Sequence, residues 1–101
     1  MSRKKKTYLK QVGTTSDGKL VLTGVYRFYE TTGLPLDVLL SCFIQKNWMP
    51  DWIDFYKTAY AAGMDHSRIL AKLEESISDS FGKEFSDHVI FTLDEIFKSK
   101  E

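Results

Sequence analysis

From Val25 onward, apolar residues recur at steps of three and four, the spacing that lines one face of an α-helix. The stretch VYRFYETTG (25–33) reads as a short helix closed by Gly33, because glycine is favoured just past a helix end. Leu36, Leu39, Leu40, Phe43 and Ile44 mark a second helix, with Pro35 at a first-turn position where its missing N–H is no loss. Pro50 breaks that pattern and is expected to open a third helix, with Asp51 complementing its dipole and Gly63 ending it. Asp65 is placed to cap a fourth, whose stripe is Ile69, Leu70, Leu73 and Ile77 and which stops at Phe81-Gly82. A fifth carries Phe85, Val89, Leu93 and Ile96, with Glu84 or Ser86 near its start. Its run VIFTL has strand propensity, but period and length favour the helix.

Ahead of Val25 the pattern changes. Residues 7–22 alternate weakly around Asp17-Gly18, a turn signal, so a small N-terminal β-hairpin is compatible with them. The fold class that follows is all-α. It is a compact bundle of about five short helices, with that hairpin as an optional preface.

Composition narrows the setting. A chain of 101 residues, 43% hydrophobic and 28% charged, has the size and make-up of one globular domain. The single Cys42 cannot form an internal disulfide, and no window approaches a membrane-spanning run of about 20 apolar residues. The start MSRKKK leads into TYLKQVGTTSDG rather than an apolar stretch, so no secretory signal is read and the expected compartment is the cytoplasm. Net charge is zero but segregated. Arg3, Lys4, Lys5, Lys6 and Lys10 hold five of the fourteen basic residues, leaving nine against fourteen acidic groups in the rest. Residues 1–10 are therefore read as a flexible basic arm on an acidic helical domain spanning 11–101. Such an arm suits weakly specific, salt-dependent contact with nucleic acid.

Catalytic signals are thin. Cys42 sits in the apolar run LLSCFI, where a buried, inert thiol is expected. His66 follows a cap position and is expected at the surface, and His88 reads as a surface or satisfied imidazole. There is no glycine-rich phosphate loop and no metal-ligand spacing, and Asp51 with Asp54 reads as dipole complement. No catalytic residue, cofactor or metal is therefore assigned.

The outline of a helix-turn-helix around Gly33 also fails on its chemistry. Bulky Tyr29 stands where the helices would approach, and the second helix offers Asp37, Val38, Ser41 and Cys42 instead of base-reading groups.

The most unusual segment is WMPDWIDFYKTAYAAGM (48–64), with two Trp and three other large aromatics. On a helix, Trp52, Tyr56 and Tyr60 follow at four-residue steps, with Phe55 and Ala59 on the adjoining strip. That face is wider than a two-sided packing needs. One reading makes it the central helix of the bundle. The other makes Trp48, Met49, Trp52, Tyr56 and Tyr60 a face for a protein partner or a second subunit, since Trp and Tyr dominate binding hot spots.

The run GLPLDVLLSCFIQKNWMP (33–50) resembles a helical segment of the late-transcription co-activator of T4-type phages, through Gly33, Phe43-Ile44, Asn47 and the Met49-Pro50 step. The resemblance implies a small, non-catalytic regulatory protein of phage or bacterial type that works by binding, in that family to RNA polymerase. It assigns no residue a role. The expected function is thus a non-enzymatic interaction protein using its aromatic helix face, with a nucleic-acid accessory protein using the basic arm as the alternative.

Overall fold

The computed structural model of the chain describes residues 9–99. In chain order it contains β1 (Lys10–Thr14), β2 (Leu20–Thr23), α1 (Val25–Thr32), α2 (Leu36–Gln45), β3 (Trp48–Pro50), α3 (Trp52–Ala61), α4 (His66–Phe81) and α5 (Lys83–Ser99). The fold is mostly helical, with a small three-stranded sheet in the order β1-β2-β3. It is therefore not all-α. Lys10 is the first residue of β1, and residues 1–8 of the arm read from sequence lie outside the described residues.

Strands β1 and β2 run antiparallel about a tight turn in which the Gly18 N–H donates to the Thr15 carbonyl at 3.0 Å. The Thr15 hydroxyl and the Asp17 carboxylate close the same turn from their side chains. Gly18 has φ 92°, a left-handed conformation open mainly to glycine.

Strand β3 corrects the sequence reading of Pro50 as the opening of a helix. The chain reverses after α2 at Asn47, whose φ of 63° is one that Asn tolerates better than most residues. Its side-chain amide donates to the Gly18 carbonyl at 3.2 Å, and its own carbonyl accepts the Leu20 N–H at 3.0 Å. Thus anchored, Trp48, Met49 and Pro50 lie parallel to Leu20, Val21 and Leu22. Pro50 has no N–H to extend the ladder. The Asp51 N–H makes the next bond, to the Leu22 carbonyl at 2.8 Å, and the Asp51 carboxylate then caps α3 by accepting the Asp54 N–H.

The apolar stripes read from sequence form the core. Leu39, Leu40, Phe55, Ala59, Ile69, Leu73, Ile77 and Leu93 are all buried, and each large aliphatic among them contributes roughly 1.5–3 kcal/mol by leaving water. Helices α4 and α5 form an antiparallel pair. Ser86 meets Glu74 and His66 meets Asp94, so a step forward on one helix is a step back on the other. Gly82, at φ 99°, makes the reversal in a single residue. Fully buried Ser86 marks the close approach, its hydroxyl donating to the Glu74 carbonyl at 3.2 Å. Among the described residues no helix is long and apolar enough to cross a membrane.

Candidate functional site

Helix α3 is held from both sides, which settles where most of its aromatics go. Trp52 and Tyr56 are buried, with Phe55 and Ala59 beside them, so the wide apolar face is largely core. Tyr56 is 1% exposed and Trp52 9%. Met49 is also buried. Trp48 is half-buried, edge-on to Phe43 with centroids 5.4 Å apart, and the Lys46 ammonium lies 5.3 Å over its ring. Tyr60 alone of the five is exposed, stacked at 5.9 Å on Tyr56. As one continuous contact face, the five residues do not come together at the surface.

Two of them, however, line something else. Met49 and Trp52 form one side of an apolar groove of about 320 Å³, together with Val21, Pro50 and Ile53. The opposite wall is the face of α5 that carries Phe85, His88, Val89 and Thr92. The groove exists because β3 ends at Pro50 and α3 begins at Trp52, which turns the chain sharply and leaves α5 to close only part of the gap. Polar groups at its border are few: Thr15, Asp51, His88 and Thr92. Three of these are already engaged, Thr15 in closing its turn with Asp17, Asp51 in capping α3 and Thr92 in donating to the His88 carbonyl. What remains is an apolar concavity with no array of convergent polar groups, suited to side chains rather than to a polar metabolite. Trp52 adds a singular feature: its indole Nε1–H is buried without a hydrogen-bond acceptor among the described residues.

The α5 wall was not singled out from sequence. Its signal was the run VIFTL, in which Phe91 falls off the Phe85-Val89-Leu93-Ile96 stripe. Phe91 is 65% exposed, the most exposed large hydrophobic among the described residues. It lies three residues after His88, which lines the groove, and is not itself one of the lining residues.

His66 and the cysteine differ from expectation, whereas His88 is exposed, as its sequence position suggested. His66 is not at the open surface; its side chain is 18% exposed. It stacks on Phe97 at 3.7 Å and joins three helices through Tyr56 on α3 and Asp94 on α5. Hydrogen bonds from His66 and then Lys98 hold the Asp94 carboxyl below its ordinary value. Asp94 is therefore an ionised acceptor at neutral pH. His66 Nε2 then carries a proton and, in the neutral ring, Nδ1 accepts from the Tyr56 hydroxyl. Burial is the main cause that pushes the Tyr56 phenol up, and it stays a donor. This run of hydrogen bonds ties helices together around a buried tyrosine.

Cys42 is exposed on α2, not buried, and its thiol makes no hydrogen bond to a base among the described residues. Nor, among those residues, does any group of three His, Cys, Asp or Glu side chains stand close enough to hold a metal. Of the basic arm, Lys10 is exposed at the start of β1, while Arg3, Lys4, Lys5 and Lys6 lie outside the described residues. No protein-family model, curated protein or solved structure matches the chain.

Proposed function

We propose that this chain is a non-enzymatic interaction protein that receives an apolar segment of a protein partner in the groove between Trp52 and α5. The observation that carries this reading is the groove itself: an open, apolar concavity lined by Trp52, exposed Ile53, Phe85 and Val89. Exposed aromatic and aliphatic groups around a concave site are the marks of a docking surface. The similarity of residues 33–50 to a phage transcription co-activator favours a small regulatory protein of phage or bacterial type, acting in the cytoplasm. The test is an amide-correlation NMR titration with a helical peptide that has a leucine-rich face and an uncharged glutamine face. Shifts concentrated at Ile53, Val89 and Thr92, and lost in Ile53→Glu, are expected. A spectrum unmoved at millimolar peptide would overturn the reading.

A second reading rests on the charge segregation. Five basic residues in the first ten, against an acidic remainder, support a nucleic-acid accessory role for the arm. Deleting residues 2–6 should then abolish binding to a mixed-sequence duplex and its salt dependence. Unchanged affinity would end that alternative.

A further inference from the structure

The hydrogen-bonded run Tyr56–His66–Asp94 does more than join three helices, because it gives one buried phenol a base. Burial raises the Tyr56 phenol, so at rest it keeps its proton. Its hydroxyl lies 2.8 Å from His66 Nδ1, and His66 Nε2 lies 3.0 Å from the Asp94 carboxylate. A phenol that loses an electron becomes a strong acid, and the radical forms easily only where its proton has an acceptor. At Tyr56 the acceptor is in place, and the imidazolium it becomes has a carboxylate against it.

The other oxidisable rings among the described residues lack such an arrangement. Trp52, one turn before Tyr56 on α3, has a buried N–H with no acceptor among those residues, so its radical cation finds no base there. The Lys46 ammonium lies 5.3 Å over Trp48, and the Lys72 ammonium 5.6 Å over Tyr29. A positive charge on the face of a ring opposes withdrawal of an electron from it. Tyr26 is buried, but its hydroxyl faces the Met64 sulfur at 3.9 Å and the Glu30 carboxylate, both weaker bases than imidazole. Tyr60 is exposed and stacks on Tyr56 with centroids 5.9 Å apart, which links the buried phenol to the surface.

We infer that Tyr56 is a proton-coupled redox site, oxidised by one electron through Tyr60, with His66 as its proton acceptor. The electron passes to an outer-sphere one-electron oxidant at the surface, which is thereby reduced. The phenolic O–H bond breaks and its proton bonds to His66 Nδ1. The products are a neutral phenoxyl radical and an imidazolium still hydrogen-bonded to Asp94. One electron from a reductant reverses both changes. Held in the core, the radical is kept from the coupling reactions that consume surface tyrosyl radicals. The inference is independent of the docking role proposed above.

The experiment is flash-quench oxidation of the full chain by photogenerated ruthenium(III) tris-bipyridine, followed by transient absorption and EPR. All proteins carry Cys42→Ser, which removes the exposed thiol as a competing donor. The parent should give a long-lived tyrosyl radical, formed more slowly in heavy water. Tyr60→Phe should give the same radical with slower formation, and Tyr56→Phe should lose it. His66→Gln keeps a hydrogen-bond acceptor but no base, and should cut the yield about tenfold or more, with circular dichroism confirming that it folds. Three results would each overturn the inference: a long-lived indolyl radical in the parent, an undiminished tyrosyl yield in Tyr56→Phe, or the parent's yield in folded His66→Gln. The first two need no change at His66, so they decide the matter even if His66→Gln does not fold.

Discussion

His66 Nε2 lies 3.0 Å from Asp94 Oδ1, a bond that joins the first residue of α4 to the last third of α5. The other ring nitrogen reaches the Tyr56 hydroxyl at 2.8 Å, so a single imidazole fastens α3, α4 and α5 at one end of the molecule. Removing the hydroxyl in Tyr56→Phe leaves a largely enclosed Nδ1 without its donor and keeps the ring packing. The expected loss is about 1 kcal/mol in urea unfolding. A midpoint identical to that of the parent protein would show that water replaces the hydroxyl at no penalty.

The same contact sets an acid limit. Asp94 is held below its ordinary 3.8, first by the His66 hydrogen bond and then by Lys98. A carboxyl with a lowered folded-state pKa contributes stability that is present above the unfolded value. That contribution is lost as pH falls through the folded-state value. The parent protein should therefore lose stability below about pH 4 more steeply than Asp94→Asn, which lacks the titrating group. Parallel curves for the two proteins between neutral pH and acid would contradict this.

Trp52 separates packing from polarity. Its ring lines the groove and meets Phe81 edge-on at 6.3 Å, while its N–H has no acceptor among the described residues. Trp52→Ala opens a large void and should cost about 3–5 kcal/mol. Trp52→Phe keeps most of the ring and removes the unpaired donor, so it should fall within about 1 kcal/mol of the parent. Thermal unfolding of the two variants checks the contrast. A Phe variant as unstable as the Ala variant would mean the indole N–H has a partner after all.

The sequence made the helices legible wherever one apolar stripe faced one core, as in Ile69-Leu73-Ile77 on α4 and Phe85-Val89-Leu93 on α5. Gly33 and Gly82 announced their reversals because only a left-handed backbone, at φ 73° and 99°, closes them. Strand β3 was hidden. Its three residues are too few to show a period, and a proline ordinarily signals a helix start or a loop. What makes WMP a strand is Asn47, distant in sequence from the Gly18 carbonyl that holds it. The aromatic row was conspicuous but ambiguous, because Trp and Tyr suit a core and an interface alike. Only the packing of α1, α4 and α5 around α3 decides that Tyr56 is core and Tyr60 is not. The groove was illegible because it lies between segments some forty residues apart, and no local pattern marks the space that two elements fail to fill.

Phe91 supplies the last prediction. It stands 65% exposed on α5, out of phase with the stripe that buries Val89 and Leu93 and half-buries Phe85. A ring so exposed adds little to folding, and Phe91→Ser should leave the unfolding midpoint within about 0.5 kcal/mol of the parent. The phenyl nonetheless stands one helical step from His88, which lines the groove, where a docked helix that overhangs α5 would cover it. Truncating an aromatic anchor of that kind typically weakens association by 2 kcal/mol or more, about thirtyfold. The paired measurement is chemical unfolding with calorimetric titration of the leucine-faced peptide. Unchanged stability with weakened binding makes Phe91 part of the docking surface. A destabilised variant would instead place the ring among the core contacts. Unchanged values in both would confine docking to the groove floor between Trp52 and Val89.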